Sequence, residues 1–209
     1  MANTQTLIQN FETYVDDTTE LSSDQELTLA NKIYRRVLNA KVWEFLKKEF
    51  IGVTDGTDTI TLPADFMNML ENYGYTDNTI EQGGKYVFIG DKLTPYKVVN
   101  WSDRKQYRND KHICYIDIVT GELKFPVTPD AGLDVSFDYI YRPADLTLET
   151  SPVFPSDFHD IIYHGMAVDD YVIQQFDKAR SYASENKAMY DNYLADLSSY
   201  NSKLITISM

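Results

Sequence analysis

The chain has 209 residues, a formal net charge of −13 and a single cysteine, Cys114. That length suits one domain, or one domain carrying a lobe, and can bury a sizeable core. One cysteine excludes an intrachain disulfide framework and a cysteine-based zinc site. Residues 1–50 carry six bases and eight acids, residues 51–150 nine and sixteen, and residues 151–209 four and eight. With no basic segment at that scale, a dedicated nucleic-acid module and an anionic-membrane binder are both disfavoured. The surplus fits a surface past which DNA slides without adhering, and it also serves plain solubility. The first ten residues lack a signal-type apolar core and no run reaches membrane-spanning length, so a reducing cytoplasm is the expected site of synthesis.

In chain order, residues 4–15 predict a short helix, with Leu7, Phe11 and Tyr14 on one stripe. Residues 16–22 read as a polar link. Ser23 and Glu26 have capping-box spacing, and a long helix is expected from there to about Glu49. Residues 50–53 and 59–62 are expected to pair as a hairpin around Asp55-Gly56. Residues 66–73 read as a strand, 74–82 as a loop, 86–89 and 93–96 as a hairpin around Gly90-Asp91. Ser102 is a candidate cap for one short helix over 100–107. Residues 113–118 and 123–125 flank Thr120-Gly121, and residues 135–141 alternate as a strand with one buried face. A helix beginning at Pro155 is apolar around much of its circumference, and Gly165 within it points to a close helix crossing. A sparser helix is expected over 178–200. The final residues, Leu204, Ile205, Thr206, Ile207 and Met209 among them, are β-prone and predict an extended tail that adds to a partner as a strand.

These elements predict an α+β fold. A helical frame, from a long N-terminal helix and C-terminal helices, carries an inserted small antiparallel β-lobe. The expected divisions are 1–50 and 151–203 for the frame, 51–150 for the lobe and 204–209 for the tail.

Catalytic patterns are missing from the sequence. His159 and His164 are five apart and do not share a helix face, and Asp160 with His164 alone makes no metal site. No phosphate-cradling glycine loop or nucleophile elbow occurs. No cofactor, no metal and no enzymatic activity are therefore expected, and Cys114 reads as a buried structural thiol.

Four stretches carry a family resemblance: Trp43-Glu44-Phe45-Leu46; Leu62-Pro63-Ala64-Asp65-Phe66; Asp138 to Pro143, with Tyr141 before Arg142-Pro143; and residues 155–167. Their order and separation resemble the head-to-tail adaptor (connector) proteins of tailed bacteriophages. The resemblance implies Trp43, Phe45, Leu46, Leu62, Pro63, Phe66, Tyr141 and Pro143 as the structural motif. It also implies a ring, most often of twelve copies, beneath the capsid portal. Such a ring extends the DNA channel and docks the tail. The implied partners are the portal protein, neighbouring copies and a tail or nozzle protein, with DNA passing unbound and no membrane involved. The implied location is the virion, after assembly in the host cytoplasm. Two other readings come from the residues themselves. One is a ligand- or glycan-binding lobe with Trp101, Tyr107 and Tyr115 as a platform. The other is a hydrolase built on Asp65 and Glu71.

Overall fold

The computed structural model describes residues 3–15, 21–76 and 79–207. The chain forms two units, one from Met1–Phe45 with Pro143–Met209 and the other from Leu46–Arg142. The first is helical and discontinuous in sequence. The second is built on a curled mixed sheet, so the α+β class expected from the sequence is the class observed.

In the helical unit, α1 spans Thr4–Val15 and buries Leu7, Ile8, Phe11 and Val15. Helix α2 spans Ser23–Leu38. Its capping box sits one residue earlier than expected: the Gln25 amide donates to Ser22 Oγ, and the Ser22 amide donates to Gln25 Oε1 at 2.8 Å. Glu26, the expected box residue, is instead buried. Helix α2 also stops well short of Glu49. The Ala40 amide donates back to the Val37 carbonyl, and the Trp43 indole N–H bonds the same oxygen at 2.9 Å. A continuing helix would have used that carbonyl for its own ladder.

The apolar segment after Pro155 is also broken. A 3-10 turn at Ser156–Phe158 precedes α3 (Ile161–Ala167), and α4 (Asp170–Gln175) follows a corner where Asp169 accepts from the Tyr171 amide. Two more helices complete the unit, α5 (Asp177–Ser181) and α6 (Ala183–Ile207). The tail is therefore a correction: Leu204, Ile205, Thr206 and Ile207 are helical, not extended, and Met209 lies outside the described residues. Extending an existing helix adds one hydrogen bond per residue with no new nucleation cost, and that outweighs the β-branched preference of these few residues. Most of the polar link over 16–22 also lies outside the described residues.

Helix α3 packs against α1, α2 and α6. Gly165 makes that possible: a Cβ there would stand 2.4 Å from Ile33 Cγ2 and 3.0 Å from a Tyr190 ring carbon. Across the discontinuity, the Thr4 amide donates to the Thr150 carbonyl at 2.8 Å, and Gln5 to Leu148 at 3.0 Å. The Asn31 side chain donates to the Leu146 carbonyl and accepts from the Leu146 amide. Arg35 pairs with Asp145, and Lys32 with the buried Asp169 at 2.6 Å.

In the second unit the strands are β1 (Lys47–Val53), β2 (Thr59–Thr61), β3 (Phe66–Met69), β4 (Asn72–Thr76), β5 (Thr79–Gly84), β6 (Tyr86–Ile89), β7 (Asp91–Val99), β8 (Ile113–Asp117), β9 (Glu122–Lys124) and β10 (Asp134–Tyr141). The main sheet runs β1-β10-β6-β7-β8-β9-β2, with β3 also on β10. Strands β4 and β5 pair where a loop was expected. The expected hairpin around Asp55-Gly56 does not form a ladder. Strand β1 pairs with β10, and β2 pairs with β9. Buried Thr54 explains the divergence: its amide donates to the Leu133 carbonyl, its hydroxyl to the Asp130 carbonyl at 2.6 Å, and its own carbonyl accepts from Gly132. The turn at 130–133 holds the chain, so it rounds a corner with Gly56 at φ +82°.

The lobe is not purely antiparallel either. Strands β7 and β8 are parallel, Lys97 opposite Ile113 and Val99 opposite Tyr115. A parallel pair needs a long crossover, and residues 100–112 supply it, with a 3-10 turn at Arg104–Tyr107 where Asp103 rather than Ser102 stands at the cap. The core includes Leu62, Met69, Val87, Leu123, Val135 and Phe137, with Phe50 stacked on Phe137 at 4.7 Å.

Gly165→Ala is predicted to destabilise the protein. The added methyl has no room, and overpacking of ~1–3 kcal/mol outweighs the ~1 kcal/mol gain in helix propensity. Thermal unfolding followed by circular dichroism should show a lower melting temperature. An unchanged or higher value would mean that α2 and α6 do not close on α3 as described.

Candidate functional site

The motif residues form anchors inside each unit. Trp43 is fully buried, and its ring stacks on Phe45 at 5.5 Å and 16°. Phe45 leans on Phe154, which meets Tyr34 and His159. Asn201 on α6 locks this stretch from behind, its Oδ1 accepting from the Glu44 amide at 2.6 Å and its Nδ2 facing the Val42 carbonyl at 3.4 Å. Leu46 is buried where the second unit begins.

In that unit, Leu62 joins the core and the Pro63 carbonyl accepts from the Phe66 amide at 2.9 Å. Phe66 stacks on Tyr139 at 5.8 Å and meets Phe137 edge-on. Asp65 accepts from Lys48 Nζ at 2.7 Å and from the Tyr139 hydroxyl at 3.0 Å. The Lys48 hydrogen bond, helped by Tyr139, holds the Asp65 carboxyl below its ordinary range against a partial burial cost. Lys48 also sits 3.9 Å over the Tyr141 ring. The Arg142 amide donates to the Asp65 carbonyl at 2.7 Å, one residue before half-buried Pro143 starts the return segment.

Several groups weighed for chemistry are paired in this way or buried, while Glu71 is exposed. Asp65 is a paired carboxylate, not a poised base. Burial pushes the Cys114 thiol far above its ordinary value, so it is a poor nucleophile. His164 and Asn186 meet at 2.9 Å, and His159 Nε2 lies 2.9 Å from the Phe154 carbonyl. The Asp160–His164 pairing weighed from spacing is thus replaced by a bond across to α6. An open concavity on the helical unit is lined by Tyr14, Tyr163 and Tyr182 with Asp160, Lys178 and Glu185. Desolvation pushes Tyr163 up to about 12 there, so its hydroxyl stays protonated at neutral pH. Among the described residues no cluster of His, Cys, Asp and Glu could hold a metal ion, and no helix is long and apolar enough to cross a membrane.

The aromatic platform considered for the lobe is partly covered. Trp101 is exposed, but the Arg104 guanidinium lies 3.2 Å over its ring and donates to its carbonyl. Tyr107 and Tyr115 are half-buried. The anchors that spacing did not reveal are small polar residues: Thr54, Asn186 and Asn201. Of these only Asn186 falls inside an expected helix, 178–200, where asparagine's propensity is poor and a tertiary role is the usual reason.

A second concavity, on the sheet unit, holds Glu49, Glu71 and Asp138 beside Lys47 and Lys48. Asp138 stands directly opposite Glu49 across the β1–β10 ladder. Partial withdrawal from water, and then the facing Glu49 charge, raise the Asp138 carboxyl above its ordinary value. The folded state therefore holds that proton more tightly than the unfolded chain. The Asp138 contribution is full below the ordinary carboxylate range and is lost as pH rises through the folded value. Asp138→Asn is predicted to raise the melting temperature at about pH 7 and to leave it unchanged at about pH 3, below the ordinary aspartate pKa. Equal shifts at both pH values would contradict the assignment.

Residues 2–205 match the family model described as SU10 adaptor protein. No curated protein matches the chain. The match covers nearly the whole sequence and agrees with the head-to-tail adaptor resemblance carried by the Trp43, Pro63 and Pro143 motifs. The chain belongs to the SU10 adaptor protein family, a bacteriophage adaptor family of structural proteins.

Proposed function

We propose that the protein is a non-catalytic ring-forming adaptor. It binds beneath the capsid portal, extends the DNA channel and docks the tail or nozzle, and it ends in the virion after assembly in the host cytoplasm. The family match over residues 2–205 carries this reading. Two physical features support it. The motif stretches are spent on anchoring backbone, as in a scaffold, and Asp65 and His164 are each held by a partner. The acidic surplus also disfavours adhesion of DNA to most of the surface.

The last turns of α6, with Leu204, Ile205, Thr206 and Ile207, are the segment proposed to meet the portal or a neighbouring copy, together with Met209 beyond them. Ile205 is exposed there on an apolar stretch. Docking as a helix replaces the strand addition expected from sequence.

Solution mass by light scattering tests the proposal, for the protein alone and mixed with its portal protein. A complex of fixed stoichiometry, twelve copies in the reading that resemblance suggests, is expected. Deleting residues 204–209 should leave the chain folded and weaken that complex. Independence from the portal at all concentrations would refute the adaptor role, and loss of soluble protein on deletion would place the segment in the core.

A further inference from the structure

The β7–β8 crossover, residues 100–112, is locally cationic. It holds Arg104, Lys105, Arg108 and Lys111 against Asp103 and Asp110, in a protein of net charge −13. Counting charge over long segments hides this stretch. Asp103 and Arg104 are half-buried, whereas Asp110 is exposed beside Lys105, Arg108 and Lys111. Asp103 accepts from the Ser102 hydroxyl, with the Asn100 amide group 3.5 Å away, and Asp110 accepts from the His112 amide at 3.0 Å. Lys105, Arg108 and Lys111 are exposed, and among the described residues they make no ion pair. Arg104 is held in place over Trp101. The crossover itself is compulsory, because parallel strands cannot be joined by a tight turn.

We propose that this crossover is a sequence-independent contact for the phosphate backbone of double-stranded DNA. The inference rests on the adaptor reading above, in which DNA passes the protein. The donor set favours phosphate: exposed Ser102, Gln106 and Asn109 stand among the cations, and phosphate oxygens accept from hydroxyl, amide, ammonium and guanidinium groups alike. An acidic protein surface is the competing partner. Protein interfaces are anchored by desolvated aromatic residues, and the one exposed aromatic here has a face already covered by Arg104. The surrounding acids keep the contact weak and local, as a strand that must slide requires.

The test is fluorescence anisotropy of a labelled DNA duplex titrated with the full chain at low salt. Binding is expected, and neutralising about three phosphates should make it fall about fortyfold between ~50 and ~200 mM salt. The combined variant Lys105→Ser, Arg108→Ser, Lys111→Ser should lose at least tenfold in affinity with an unchanged melting temperature. The charge-conserving variant Lys105→Arg, Arg108→Lys, Lys111→Arg should retain binding, which separates a charge effect from a fold effect. No anisotropy change at low salt, or equal affinity of the serine variant, overturns the proposal. Capture of polyglutamate in place of DNA, or low-salt self-association abolished by the serine variant, would assign the loop to an acidic protein instead and equally overturns it. The portal mixture repeated with the serine variant keeps the two readings apart. Complex formation without DNA binding leaves the adaptor standing and removes this loop contact, and DNA binding without complex formation does the reverse.

Discussion

The helical unit depends on how near α3 can come to α2 and α6, and that distance is set where Gly165 faces Ile33 and Tyr190. Chain outside Leu46–Arg142 contributes to this unit from both ends of the sequence, so the unit closes without a covalent link of its own. Close packing supplies most of the closure, because dispersion and burial grow with the number of atoms in contact. Hydrogen bonds then fix the register: Thr4 and Gln5 to the 148–150 stretch, Asn31 to Leu146, and Asn201 to the backbone at 42–44. Those at Thr4, Leu146 and Glu44 satisfy buried or half-buried backbone groups, where an unpaired donor or acceptor would cost more than the bond gains. The same logic holds the sheet unit at its corner, where Thr54 is tied to the 130–133 turn.

Much of this order was legible in the sequence because hydrophobic periodicity reports local geometry. The α1 stripe, the β6–β7 and β8–β9 hairpins and the buried face of β10 follow directly from spacing. What spacing cannot report is competition for a backbone group. Helix α2 ends because the Trp43 indole takes the Val37 carbonyl, a contact over six residues that no periodic template contains. The Asp55-Gly56 turn was recognised, yet its flanking strands found other partners through Thr54. The β-prone tail became helical because α6 was already there to extend. The W-x-F-L and L-P-x-D-F stretches pointed to the family, while Asn201, which fixes the first of them, carried no comparable signal.

Function follows the same division. The residues that identify the family are anchors, and they are spent on backbone and on one another. The surface of this acidic chain includes a cationic crossover and a helix that ends in apolar residues. On the adaptor reading these surfaces have different tasks: the acids keep DNA from adhering, the crossover touches its phosphates briefly, and the end of α6 engages protein.

The most direct measurement is electron microscopy of purified portal particles incubated with saturating amounts of this protein. The account predicts an added ring on one end of the portal, with a continuous axial channel and the symmetry of its copies visible in projection. Bare portals, with the protein left as separate particles, would contradict it.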